Sequence, residues 1–178
     1  QMKVRYVTME EFVTALIDAI GNNTIAAFRN WNKMTDVLIM DDVQFLSGKE
    51  RAQEEFFHLF NALYQAGKQV ALTSDRPPKD IAHLEKRLKS RFGAGIIVDI
   101  QPPDLETRVA ILRHELAGRG KKGTLSDEVL LYIAERVETN VRELKGALNQ
   151  VLVRREISGQ TPDLVAACKI LDQILSPA

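Results

Sequence analysis

The hydrophobic positions of the chain fall into two patterns. Four short runs rich in Val and Ile, at residues 4–7, 37–40, 69–72 and 96–100, predict strands. Largely unbroken apolar runs suit strands covered on both faces, as in a parallel sheet. Between them the spacing becomes helical. Thr8 and Glu11 form a capping box ahead of Phe12, Val13, Leu16, Ile17 and Ile20. A second helix is predicted from about Lys49 through Phe56, Phe57, Phe60 and Leu63 to a stop at Gly67, and a third over 81–88. Strands alternating with helices predict a parallel α/β sheet with right-handed crossovers.

Beyond Pro102-Pro103 no strand pattern recurs. Asp104, Ser126 and Asn140 each precede a helical pattern, and Thr161-Pro162 reads as a cap followed by proline at the first helical position. The segment 118–123 is a glycine- and lysine-rich linker. The chain therefore divides into an α/β part, 1–103, and an all-helical part, 104–178.

Composition narrows the class. The 178 residues carry 24 Lys plus Arg and 24 Asp plus Glu, which excludes a broadly cationic coat but not a local basic patch. A hydrophobic fraction of 45% and a charged fraction of 27% fit a globular chain. The single cysteine, Cys168, cannot form an internal disulfide, and no apolar run reaches the roughly 20 residues of a membrane span. The expectation is a cytoplasmic protein. Because it opens on Gln1 directly before a strand, the chain reads as a piece of something longer.

The candidate chemistry begins with Val37-Leu38-Ile39-Met40-Asp41-Asp42. A buried strand that delivers two carboxylates at its carboxyl end is the arrangement of a Walker-B strand, where one carboxylate holds Mg²⁺ through water and the next orients an attacking water. A strand ending in a polar turn capped by Asp42 fits the same residues equally well. The run Thr73-Ser74-Asp75-Arg76 would lie beside that pair if the two strands are neighbours, or it is simply a loop. Arg87 and Arg91, four apart, share a helix face and could grip phosphates; a solvated basic face is the more usual meaning. Arg142 falls in a first helical turn, where a cation opposes the helix dipole. That points to an external anion or, more commonly, to a salt bridge.

Taken together, Val4-Arg5-Tyr6-Val7, Asp41-Asp42-Val43-Gln44-Phe45-Leu46, Gln53-Glu54-Glu55-Phe56-Phe57-His58, Thr73-Ser74-Asp75-Arg76-Pro77-Pro78-Lys79, Leu88-Lys89-Ser90-Arg91-Phe92 and Asn140-Val141-Arg142-Glu143-Leu144 resemble the AAA+ module of the DnaA family of bacterial replication initiators, over residues 3 to 175. The resemblance implies an AAA+ P-loop NTPase core followed by a helical lid. It also implies ATP or ADP with Mg²⁺ as ligands, self-assembly into a head-to-tail filament, and binding of single-stranded origin DNA that promotes duplex opening. It makes Asp41 the Mg²⁺ carboxylate, Asp42 its catalytic neighbour, Asp75 sensor 1, Arg91 the arginine finger reaching the adjacent protomer's ATP, Arg87 a second interface arginine, and Arg142 sensor 2. Ile17, Lys49, Arg51 and Ala52 fall at the single-strand-binding positions, Ala52 without the hydroxyl some relatives offer there. A replicative helicase or regulatory proteins are further partners.

No Gly-x-x-x-x-Gly-Lys-Ser/Thr occurs in the sequence. In the resembling family that loop and its strand lie just upstream, and a helix-turn-helix domain lies downstream. The expectation is a weak regulatory ATPase as the parent and a chain inactive in hydrolysis by itself, with two strand edges exposed where the central strand is missing. Helicase loaders and DnaA-like regulators share the same module and stand as alternatives, as does a non-enzymatic fragment that binds single-stranded DNA or protein.

Overall fold

The computed structural model describes residues 2–119, 125–159 and 163–175. They form two compact units, Gln1–Val98 and Asp99–Ala178.

The first unit is built on three parallel strands in the order β1 (Val4–Thr8), β2 (Val37–Asp41) and β3 (Gln69–Leu72). The register pairs Val4 with Val37 and Thr8 with Asp41 on one side of β2, and Val37 with Gln69 on the other. Asp36 pins the opposite end of the sheet. Its carboxylate accepts the Lys3 amide at 2.9 Å and the Lys68 ammonium, and its carbonyl accepts the Gln69 amide at 3.0 Å. Lys68 and the Lys3 amide hold the Asp36 carboxyl below the usual carboxylate range.

Helices α1 (Met9–Gly21), α2 (Ile25–Lys33), α3 (Glu50–Gln65) and α4 (Lys86–Gly93) complete this unit. The Thr8–Glu11 capping box opens α1 as the sequence predicts: the Glu11 amide donates to Thr8 Oγ1 at 3.2 Å, and the Thr8 amide donates to Glu11 Oε2 at 2.9 Å. Gly67, at φ +66°, turns the chain out of α3 in the left-handed region where glycine is favoured. The core joins Leu38 and Met40 of β2 to Met9, Phe12 and Leu16 of α1 and Phe56 and Leu63 of α3. Ring centroids of Phe12, Phe28, Phe56 and Phe92 lie 5.3 to 6.1 Å apart in successive tilted or edge contacts. Phe56 is fully buried, and Phe57 and Phe60 pack against the same core, so these aromatics stabilise the fold rather than form a stacking platform.

The second unit is helical: α5 (Leu105–Ala117), α6 (Asp127–Arg136), α7 (Val141–Ser158) and α8 (Leu164–Leu175). Asp104 and Ser126 cap α5 and α6, and the Asn140 side chain accepts the Glu143 amide at 2.7 Å, all at the predicted positions. Leu112, Ile133, Leu144, Leu148, Val151 and Leu171 form its core. The Thr161-Pro162 helix start lies outside the described residues. At the described start of α8, Asp163 Oδ1 accepts the Ala166 amide at 2.8 Å.

Two expectations are corrected. Residues 96–100 form no strand: Ile96 is 96% and Ile100 91% exposed, and no described strand pairs with the segment. Apolar, β-branched composition fills a strand only where a ladder partner exists. The helix predicted over 81–88 is displaced to Lys86–Gly93. Ile81, Leu84 and Leu88 are spaced like a helical face and all are buried, but His83 sits at φ +50°, which ends any helix there.

Candidate nucleotide and nucleic-acid sites

The carboxyl end of the sheet gathers five polar side chains. Asp41 closes β2, and its carboxylate accepts the Tyr6 hydroxyl at 2.6 Å from β1 and the Thr73 hydroxyl from the residue after β3. The Asp42 amide donates to Thr73 Oγ1 at 3.0 Å, and the Asp42 carboxylate accepts Gln44 Nε2 at 3.0 Å. The Asp41 carboxylate pushes the Tyr6 hydroxyl pKa up, so this contact is a neutral phenol donating to an anion. Asp42 sits at φ 59°. Aspartate tolerates that left-handed conformation better than most residues, and such backbone is concentrated at functional sites.

The parallel register makes this assembly. It ends β1 and β2 level at Thr8 and Asp41, while the Thr73 amide donates to Met40 O at 3.0 Å and the Val43 amide to Thr73 O at 2.9 Å. The polar residue beside the aspartates is therefore Thr73. Asp75 lies two residues further on, gripped by Arg76 through two bonds of 2.7 and 2.8 Å that hold its carboxyl below the usual range. The sequence places the run from Thr73 beside the pair if the strands are neighbours, which they are, with Thr73 rather than Asp75 making the contact; Tyr6 was not singled out. The signal for Tyr6 was register, which fixes which residues of neighbouring strands end together.

The donor set fits a hydrated Mg²⁺. Two carboxylates and a hydroxyl are hard oxygen donors at the carboxyl end of parallel strands, where open α/β sheets take ligands. Asp41 and Asp42 would hold such an ion, and the ion would neutralise nucleotide phosphate charge.

A second group of residues surrounds the starts of α3 and α4. Lys49 is the N-cap residue of α3, and Arg51 lies in its first turn with its guanidinium 3.0 Å from Glu54. Ile17 is 62% exposed on the outer face of α1. The Ala52 side chain is only 4% exposed, packed into the core because the third position of α3 faces inward. Any contact from Ala52 must come through its backbone, in the first turn, where helical amides have no intrahelical acceptor. Arg87 is held by Glu85 and lies 4.5 Å over the Phe57 ring; Arg91, in the last turn of α4, lies 5.7 Å over Tyr64. Arg142 is exposed in the first turn of α7, in the second unit.

Gln53 ties the two basic segments together, a role the sequence did not reveal. It is 1% exposed. Its amide nitrogen donates to Leu46 O at 2.9 Å and His83 O at 3.0 Å, and its oxygen accepts the Glu85 amide at 2.8 Å. One side chain thus fixes the approach to α4 against the approach to α3. Gln53→Leu removes all three bonds; Leu46 O keeps the Lys49 amide, while His83 O and the Glu85 amide lose this part-buried partner. It is expected to cost about 3 kcal/mol, read as a lower urea midpoint at unchanged slope.

The family model described as the bacterial DnaA ATPase domain matches residues 1–99. A chromosomal replication initiator protein DnaA of Thermus thermophilus is 49% identical over 176 residues, which are 99% of this chain and 40% of that protein. The chain thus spans less than half the length of that relative. Among solved structures, domain III of the Thermotoga maritima replication initiation protein DnaA superposes with a TM-score of 0.93 at 40% identity, covering 99% of this chain and 73% of that one. A replication initiator DnaA bound to AMPPCP and single-stranded DNA superposes with a TM-score of 0.76 at 40% identity, covering 88% of this chain and 50% of that one. With over half its residues matched by the family model and its fold shared with these solved domains, the chain belongs to the bacterial DnaA ATPase-domain family.

Proposed function

We propose that this chain is the nucleotide-responding core of a bacterial replication initiator, acting in the cytoplasm. In this reading ATP and Mg²⁺ meet at the carboxyl end of β2, protomers assemble head to tail, and the assembly binds one strand of origin DNA to promote duplex opening. Replicative helicase and regulatory proteins are further partners. The observation that carries the reading is the Asp41–Asp42–Thr73 cluster at the level ends of parallel strands, in a chain of the DnaA ATPase family. A solved relative bound to AMPPCP and single-stranded DNA supports both ligands.

Each residue then has a role. Asp41 holds the hydrated ion and Asp42 orients the attacking water. Asp75 senses the nucleotide within the core, and Arg142 keeps the sensor-2 role that the resemblance implies. Arg91 reaches the neighbouring protomer's phosphates, assisted by Arg87. Ile17, Lys49 and Arg51 face the DNA: the two cations neutralise phosphates, and the exposed isoleucine packs on sugar or base.

The test is single-strand binding by the full-length protein with ATP present, measured by anisotropy of a labelled oligo-dT across a salt series. Lys49→Ala with Arg51→Ala is expected to weaken binding and to flatten the logarithmic salt slope by about 1.4, two phosphates at roughly 0.7 each. An unchanged slope would return both residues to an ordinary solvated helix start.

A further inference from the structure

Glu55 is the one buried charged residue among the described residues; its side chain is 2% exposed. A desolvated carboxylate has to be paired and hydrogen-bonded. Arg29 does this from the neighbouring helix α2, through Nε to Oε2 at 2.8 Å and Nη2 to Oε1 at 2.5 Å. This two-pronged fork is the strongest geometry a guanidinium offers a carboxylate. Its effect runs in opposite directions on the partners: Arg29 holds the Glu55 carboxyl below the usual range, with smaller help from Arg51 and His58, and Glu55 raises the Arg29 pKa.

Arg51 approaches the same carboxylate from one turn earlier on α3. Its Nη2 lies 3.7 Å from Oε1, an ion-pair distance too long for a hydrogen bond, and its Nη1 is 3.0 Å from Glu54. The Arg51–Glu54 pair is exposed on both sides, and pairs of that kind contribute little. Two guanidiniums from two helices thus converge on one buried anion, and only one of them is committed to it.

We infer that Arg29 is a positioning residue for single-strand binding: by saturating Glu55 from α2 it leaves the Arg51 guanidinium available to a nucleic-acid phosphate. The inference rests on the single-strand reading above. Without Arg29 the buried carboxylate needs another cation, and Arg51 is already at ion-pair distance. It would close onto Glu55 and be lost to the DNA. Arg29 acts through Arg51 and need not touch the strand.

The test is a double-mutant cycle in the full-length protein with ATP, using oligo-dT anisotropy across a salt series, with folding checked by urea melts. Arg29→Ala is expected to weaken binding about tenfold and to flatten the salt slope by about 0.7, one phosphate contact. In an Arg51→Ala background, Arg29→Ala should add less than a twofold loss, because the residue it serves is gone. Losses that multiply would overturn the inference, since they mean a separate contact or a general structural role; so would an Arg29→Ala protein that binds like wild type. Should Arg29→Ala fail to fold, Glu55→Gln takes its place. It removes the anion that competes for Arg51 and should bind at least as tightly as wild type, and weaker binding would overturn the inference. If Arg51→Ala by itself changes neither affinity nor slope, the fault lies in the single-strand reading. If Arg51→Ala weakens binding but the two losses multiply, only the role of Arg29 fails.

Discussion

Arg91→Ala is expected to abolish ATP-dependent assembly while leaving ATP affinity within about twofold of wild type, and to slow assembly-stimulated hydrolysis by about 10³-fold, within the range of arginine fingers. Arg91 lies in the last turn of α4, where the helix dipole favours a cation. It is exposed, packs only loosely over Tyr64, and has no carboxylate partner among the described residues. Arg87, one turn earlier, is instead committed to Glu85 and to the Phe57 ring. A guanidinium carried on a well-packed helix and left uncommitted is suited to phosphate bound elsewhere. In the proposed reading Arg91 acts on another protomer's nucleotide, so binding and assembly should separate. Sedimentation in ATP measures assembly and calorimetry measures affinity. A fall in ATP affinity by the same factor as the fall in assembly would contradict a role across the interface.

Much of the frame was legible because it depends on local rules. The Thr8–Glu11 box, the Asp104, Ser126 and Asn140 starts and the Gly67 stop all lie where sequence places them, since a cap satisfies amides only a few residues away. What failed depends on partners distant in sequence. Residues 96–100 have strand composition without a ladder. Helix α2 was missed because its apolar signal is thin. Ile25 and Phe28 are followed by Arg29-Asn30-Trp31-Asn32, and the structure, with Ile25 and Phe28 against the core and Phe28 5.3 Å from Phe12, shows what the helix is packed on. That omission hid Arg29, and with it the partner of Glu55. The site was half legible. The Asp41-Asp42 pair stands out by position at the end of an apolar run, and the run from Thr73 follows the next one, whereas Tyr6 is an ordinary residue until register sets its hydroxyl on Asp41. Ala52 illustrates the reverse: a family position can be matched in sequence and still have its side chain turned into the core.

Asp41→Asn carries the second large effect, and it bears on the central claim that the carboxyl end of β2 is the magnesium-nucleotide site. The substitution keeps the shape of the side chain; the Tyr6 and Thr73 hydroxyls reach different carboxylate oxygens, so the asparagine oxygen accepts one of them and its NH2 donates to the other hydroxyl's oxygen, and the sheet end should persist. It removes the charge that a hard divalent ion requires. The measurement is a calorimetric titration of ATP into the full-length protein, wild type and Asp41→Asn, each in Mg²⁺ and in EDTA. Wild type should bind ATP about 100-fold more tightly in Mg²⁺ than in EDTA, a gain of about 2.7 kcal/mol. Asp41→Asn should bind equally in both and melt at the wild-type urea midpoint. A folded Asp41→Asn protein that keeps the full magnesium gain would place the ion elsewhere and contradict the account.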